Sequence, residues 1–531
     1  MRLKEALSVM SMASPYAVST ERSEDKTNLH RRIKAELYIE MPIEVDVKKQ
    51  LASMASGSKE IFFLCGSSGD GKSELLTKFK RQFDARIKFH LDATHSFEPN
   101  KNAIQTLDKV FTDFDEGTYP LVVGINTGML GNYAEEGKNE GFKQAIKSYL
   151  YEGVKTVGNI TFISFEDYPK FYINESGYTA EFAQKFLERL TTRDNNLIRQ
   201  LVDKDIAENR DKESRRIQAN FELLSIPEVQ KNIIELLFKA RLMRDQFLTT
   251  RALLDFTFSL IVGPNYLFDN LFAGGDNELA NKLIDFDPAH NRTKSIDSFV
   301  IEKDLGLTEQ AFDEYRDALT QFGIERLSSA LSYLRLFYVF KGAEFSNNYH
   351  AKFTQDFSES LIEQYVQIYQ LHRDFDNRAE QRKLLKPFYN DLLRSAIRKY
   401  NNRNAPQLDK SQYLIKELNG YQLVAELEVK ADHKNINNHP PKSSASFTAC
   451  LNVQGESLTI PVTLNLLELI QRIEDGYRPN KHDKNTVVLL DELIEDISKI
   501  ANKVNTLKIV KGNTSIGIKK VDEDEFEVSG I

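Results

Sequence analysis

Residues 61–76 read IFFLCGSSGDGKSELL and hold Gly66, Gly71, Lys72 and Ser73 at the spacing GxxxxGK[ST]. The chemistry such spacing supports is the binding of a polyphosphate. Gly66, Gly69 and Gly71 carry no Cβ, so the chain can wrap closely and turn its amides inward. Ser67, Ser68, Gly69, Asp70 and Gly71 would line that wrap. Lys72 would reach the β- and γ-phosphates, and the Ser73 hydroxyl would ligate Mg²⁺. A short apolar run precedes the loop, and Leu75, Leu76, Phe79 and Phe83 follow at helical spacing, which predicts strand, loop and helix in that order. The helix N-terminus adds its positive end to the site. Outside that context the same residues would make an ordinary Gly/Ser turn.

Nucleotide hydrolysis needs more than a phosphate loop. An acidic residue at a strand end must face the Mg²⁺, and a carboxylate usually orients the attacking water. Asp92, closing IKFHLD, is the best placed, with a turn or N-cap role as the alternative; Glu166 and Asp167, after residues 160–165, are the rivals. No strand ends in Asp-Glu, the pair most AAA-type ATPases use. The stretch LVVGINTGMLGNY resembles the sensor strand of those proteins, with Asn126 near the γ-phosphate, or else a plain strand-to-helix turn helped by Gly124 and Gly128. In FLTTRALLDF a Thr pair can cap a helix, and Arg251 lies in its first turn, where a cation opposes the helix dipole unless an anion faces it. That placement resembles the second sensor arginine of AAA-type lids; a surface salt bridge is the competing reading. Arg189 and Arg193 are candidates for fingers acting across a subunit interface.

Other groupings carry weaker chemistry. Residues 378–403 collect Arg378, Arg382, Lys383, Lys386, Arg394, Arg398, Lys399 and Arg403 with Phe388, Tyr389 and Tyr400 interleaved. Basic charge with aromatics can follow a nucleic-acid backbone, whereas a solvated helix face or a dock for an acidic partner is the ordinary alternative. His433 and His439 flank a polar loop and do not form metal spacing with Cys450, so solvated loop residues are expected. Glu428-Val429-Lys430 has the ExK form of one nuclease class without a paired Asp, and metal chemistry needs converging carboxylates.

The elements that would position these residues are legible as patterns. Residues 86–91, 121–125 and 160–165 read as strands, and Ile104, Leu107, Val110, Phe111 and Phe114 mark a helix. Strands alternating with helices behind a phosphate loop predict a parallel sheet covered on both faces. From about residue 168 to 403 helical periodicity dominates. Alternation returns at Tyr421–Val429, Phe447–Val453 and 458–462, followed by two amphipathic helices and a hairpin around Gly512-Asn513. The expected division is an N-terminal helical segment (1–55), a nucleotide core (56–170), a helical lid and helical domain (171–410) and an α+β module (411–531). The fold class is an α/β P-loop NTPase of AAA-like type with a large helical region.

The 531 residues suffice for three or four domains, and the net charge of −8 argues against coating nucleic acid by bulk charge. No apolar run approaches a membrane span, and the first residues lack the apolar core of a signal peptide. Cys65 and Cys450 lie too far apart in sequence to suggest a disulfide framework, which fits a cytoplasmic setting.

Taken together, SPYAVST, GSSGDGKSELL, HLDATHSF, LVVGINTGMLGNY, TTRALLDF and GYRPNKHDKNTVVLLDEL resemble the DptF (DndF) family of bacterial phosphorothioation-dependent restriction over nearly the whole chain. The resemblance implies a bacterial, cytoplasmic component of an anti-phage system that restricts unmarked DNA together with DptG-like and DptH-like proteins, meeting DNA within that complex, with an oligomer possible. ATP and Mg²⁺ are the cofactors expected. Two readings follow: an ATP-hydrolysing switch, or a nucleotide-stabilised scaffold with little hydrolysis.

Overall fold

The computed structural model describes residues 2–14, 28–54, 57–93, 102–175, 177–194, 196–208, 211–244, 248–307, 309–358, 360–512, 514–522 and 525–530. The expectations for most of SPYAVST, for the end of HLDATHSF, for Phe247 and for Asn513 fall outside them.

Two compact units are present: residues 1–170, 180–237 and 246–358 form the first, and 171–179, 238–245 and 359–531 the second. The first is built on a five-stranded sheet of β1 (Ile61–Gly66), β2 (Lys88–His90), β3 (Leu121–Asn126), β4 (Thr156–Val157) and β5 (Ile160–Ser164), in the order β2-β3-β1-β5-β4. β2, β3, β1 and β5 run parallel, and β4 is an antiparallel edge. The register pairs Gly66 with Asn126 and Cys65 with Ser164, so the residues that follow these strands emerge at one sheet edge.

Side chains of a strand alternate between faces, and here both faces are apolar. Phe63, Cys65, Val123, Ile125 and Phe162 pack with Leu107, Phe111, Leu130 and Phe142 from the helices on one side. Phe62, Leu64 and Val122 pack with Val47 and Leu51 of the helix Pro42–Ser53 and with Leu75, Leu76 and Phe79 of the helix Lys72–Phe83 on the other. Every residue of β1 is buried, which is why it reads as a continuous apolar run. The strand predicted over 86–91 is shorter, Lys88–His90.

The N-terminal residues belong to this unit. Leu3, Ala6 and Leu7 of the helix Leu3–Leu7 are buried, and Lys4 pairs with Glu213 at 2.7 Å. The segment over 1–55 is helical at Leu3–Leu7, Asn28–Glu36 and Pro42–Ser53 and is part of the first unit.

The second unit holds the hairpin β6 (Tyr172–Asn174) and β7 (Gly177–Thr179), a three-stranded antiparallel sheet, and a five-stranded one. The three strands are β10 (Val429–Ala431), β11 (Phe447–Val453) and β12 (Glu456–Val462); the five are β8 (Gln412–Leu418), β9 (Tyr421–Glu426), β13 (Thr506–Lys511), β14 (Thr514–Asp522) and β15 (Glu525–Ser529). The boundary expected at 410 falls inside this unit. The helices over 360–401 pack on the strands that follow: the His372 ring lies 4.4 Å from that of Phe447, and the Cys450 amide donates to the Tyr389 hydroxyl at 3.2 Å.

Candidate nucleotide site

β1 ends at Gly66, whose φ of 152° begins a loop with Gly69 at 85° and Gly71 at 103°. Side chains rarely adopt the conformations of Gly69 and Gly71. At Gly69 a Cβ would also lie 3.1 Å from the Cβ of Arg251. The helix Lys72–Phe83 starts directly after Gly71, so strand, loop and helix stand in the order the spacing predicts.

The loop is held by contacts from within the unit. One oxygen of Asp70 accepts the Ser67 amide at 2.8 Å. The other accepts Lys170 Nζ at 2.8 Å, with side chains only 9% and 7% exposed. The Arg251 amide donates to the Gly69 carbonyl at 3.1 Å, and the Thr250 hydroxyl to the Asp70 carbonyl at 3.3 Å. Asp70 thus acts as the loop's internal brace, and its own amide is taken by the Ser67 carbonyl. Lys72 donates to the carbonyls of Gly66 and Ser67 at 3.0 and 2.7 Å. It is half-buried rather than a purely solvent-facing charge, and burial draws its pKa below the ordinary lysine value.

A cavity of about 450 Å³ opens over this loop. Ser68, Gly69, Asp70, Gly71, Lys72 and Ser73 form its floor, and Asp92, Asn126 and Arg251 reach it from three other segments. Asp92 is positioned at close quarters. The Ala93 amide donates to the Gly124 carbonyl at 2.9 Å, and a Cβ on Gly124 would sit 2.5 Å from the Leu91 carbonyl oxygen. Gly124 is small because the chain after β2 crosses directly over β3. Asn126 caps the helix Thr127–Glu136, accepting the Met129 amide at 2.6 Å, so one of its acceptor sites is committed to the turn. Arg251 lies in the first turn of the helix Thr250–Val262, behind the Thr249 cap.

The rival carboxylates are engaged outside the cavity lining. Glu166 accepts the Thr127 hydroxyl at 3.0 Å, and Asp167 pairs with Lys155 at 2.8 Å. Arg189 donates to the Tyr38 carbonyl at 2.7 Å, a tie within the chain, while Arg193 is exposed. The remaining walls carry no motif: Val9, Met10, Leu37, Ile39, Phe182, Phe186 and Leu254 give them an apolar stretch, beside the charged Lys34, Glu44 and Glu74. Nothing in their spacing marks them, since they come from separate stretches of chain. Lys170 was equally silent, lying a hundred residues from its partner Asp70.

No group of three or more His, Cys, Asp or Glu that could hold a metal ion occurs among the described residues. A Mg²⁺ site needs no such cage, because this ion keeps several waters and is held by one or two protein oxygens plus substrate phosphates. Ser73 and Asp92, both on the cavity, offer that donor set. Glu428 is paired with Lys430 at 2.5 Å, which leaves the ExK stretch without a convergent partner. His433 is half-buried rather than a freely solvated loop residue: its ring stacks 6.0 Å from that of Phe375, and burial lowers its pKa. Both cysteines are free and buried.

No family model, curated protein or solved structure matches this chain. No described helix is long and apolar enough to cross a membrane.

Proposed function

We propose that the first unit binds Mg-ATP at the loop over residues 66–73 and hydrolyses it as an AAA-like switch. One observation carries the reading: a glycine-rich loop between a buried parallel strand and a helix, with Lys72, Ser73, Asp92, Asn126 and Arg251 on a single cavity. Loop amides and Lys72 would hold the phosphates, and the apolar walls would take the base. Ser73 and Asp92 would hold Mg²⁺, which when bound neutralises charge developing on the transferred phosphoryl group. Asn126 would orient a water or phosphate oxygen with its remaining amide protons. Arg251 would place a cation where the dipole of its own helix disfavours one, a cost that an anionic ligand offsets.

The family resemblance supplies the setting: a nucleotide-driven component of a phosphorothioation-dependent restriction complex, acting with DptG-like and DptH-like partners. The scaffold alternative rests on the missing Asp-Glu pair. Calorimetric titration of Mg-ATP into the wild type and Lys72→Ala, with phosphate release measured alone and with partners and DNA, separates the readings. Lys72→Ala should abolish heat of binding while keeping the circular dichroism of the wild type. Equal affinity and turnover in both proteins overturns the site. Binding without turnover under every condition favours the scaffold.

A further inference from the structure

The eight basic residues over 378–403 do not share one role. Arg378 pairs with Asp376 at 2.8 Å, Arg382 Nε donates to the side-chain Oδ1 of Asn377 at 2.8 Å, and Lys399 pairs with Glu474 at 2.6 Å. Arg403 lies 4.3 Å over the Tyr400 ring. Phe388, Tyr389 and Tyr400 are buried, so they are core rather than stacking platforms. Two cations remain together: Arg394 and Arg398 line a groove of about 690 Å³ within the second unit.

The far wall brings Lys410, Ser411, Tyr413 and the turn residue Gln454. The carboxylates on the groove are Asp391, Glu426 and Glu428. Glu426 is paired with Lys508 and Glu428 with Lys430, each at 2.5 Å. Arg394, Arg398 and Lys410 have no carboxylate partner among the described residues, against Asp391 alone. Like charges four apart on a helix repel, and cations gathered in a concave wall focus their field on what enters. The backbone adds a second sign. Residues Pro387–Leu393 form a π-helix, and the Arg394 amide donates to the Tyr389 carbonyl five residues back. Such turns are uncommon, shift the register of the residues beyond them, and occur often at functional sites. Here the shift presents Asn390, Asp391, Arg394, Ser395 and Arg398 along one wall.

We infer that this groove binds the phosphodiester backbone of a single nucleic-acid strand. Arg394 and Arg398 stand four residues apart, a rise of about 6 Å, comparable with successive phosphates of an extended strand. Arginine forks and serine hydroxyls are the groups that hold phosphate oxygens. No exposed aromatic lines the groove, so bases are not gripped and the contact is independent of sequence. Its volume equals a cube of about 9 Å, smaller than the cross-section of a double helix, whose major groove alone is about 12 Å wide. A strand fits it and a duplex does not.

The test is fluorescence anisotropy of a labelled twenty-nucleotide oligothymidylate with the full chain between 50 and 200 mM salt. Three phosphate contacts predict a log–log salt slope of about −2. Arg394→Ala/Arg398→Ala should flatten the slope by about 1.4 and weaken binding at least tenfold. Arg394→Lys/Arg398→Lys should restore most of it. Lys383→Ala/Lys386→Ala removes the same charge from exposed positions off the groove and should leave binding unchanged, as should Lys72→Ala. The inference is overturned by equal losses in the two alanine pairs, by loss in Lys72→Ala, by absent binding in the wild type, or by preference for a duplex. Retention by the arginine groove of inorganic tripolyphosphate but not of the strand overturns it as well.

Discussion

Replacing Lys170 by Met tests what holds the glycine-rich loop over residues 66–73 in shape. Lys170 and Asp70 face each other at 2.8 Å with side chains 7% and 9% exposed, and Asp70 also accepts the Ser67 amide. At an effective dielectric constant near 20 their attraction is of the order of 6 kcal/mol, much of it offset by desolvation. Removing one partner of a buried pair costs about 3–5 kcal/mol because the other charge is left uncompensated. The Ser67 amide still reaches Asp70 in Lys170→Met, so the lower end, about 3 kcal/mol, is expected. The loss should be local. Hydrogen exchange of the amides over 67–71 reads it directly, because exchange reports the opening free energy of each segment. Mg-ATP affinity should fall at least tenfold as the loop amides lose their fixed directions. Asp70→Asn keeps an acceptor for Ser67 but strands the buried ammonium. The double variant Lys170→Met/Asp70→Asn removes both charges and should recover most of the protection, giving a coupling of at least about 2 kcal/mol. Protection in Lys170→Met within about 1 kcal/mol of the wild type, or strictly additive effects, refutes the brace.

Further outcomes follow from the same geometry. Asp92→Asn should lower kcat about a hundredfold with Mg-ATP affinity changed less than about threefold, whereas Glu166→Gln should leave both near wild type; the reverse pattern in steady-state kinetics assigns the wrong strand end. Gly124→Ala places a Cβ 2.5 Å from the Leu91 carbonyl oxygen and 2.8 Å from Leu76 Cδ1, an overpacking that should cost about 1–3 kcal/mol and depress turnover through Asp92, measured by thermal unfolding and phosphate release. Burial holds the His372 pKa at about 4, against 6.5 in the unfolded chain. Because the unfolded state takes up the proton first, stability is full above pH 6.5 and falls as the pH drops toward 4. Between pH 7 and 5 the loss is about 2 kcal/mol, visible in urea unfolding of the second unit and flattened in His372→Gln.

The order of strand, loop and helix over 61–83 was legible because the glycine spacing sits in one short stretch, and the strands around it because a doubly covered sheet leaves continuous apolar runs. Asp92, Asn126 and Arg251, singled out by their places at element ends, line the cavity over that loop. What could not be read is what depends on chain crossings. Lys170 meets Asp70 across a hundred residues, and no periodicity records it. The apolar wall of Val9, Leu37, Phe182 and Phe186 is assembled from stretches that each look like ordinary core. The basic run over 378–403 misled in its aromatics, since Phe388, Tyr389 and Tyr400 serve the interior. The helical pattern ends near residue 410, while packing groups residues 359–531 in one unit, a grouping that periodicity does not record.

The helix Thr250–Val262 is fastened at both ends and in between. Its first turn is bonded to Gly69, Asp255 accepts the Met12 amide at 2.7 Å, and beyond its last residue the Gly263 carbonyl receives Arg216 at 3.2 Å. Thirteen residues make a rod about 20 Å long, stiff because every interior turn is bonded to the next. A loop that tightens around a ligand cannot shift Gly69 alone. Loop and helical bundle thus share one rigid part, bonded to the loop at its first turn and to Arg216 just past its last residue.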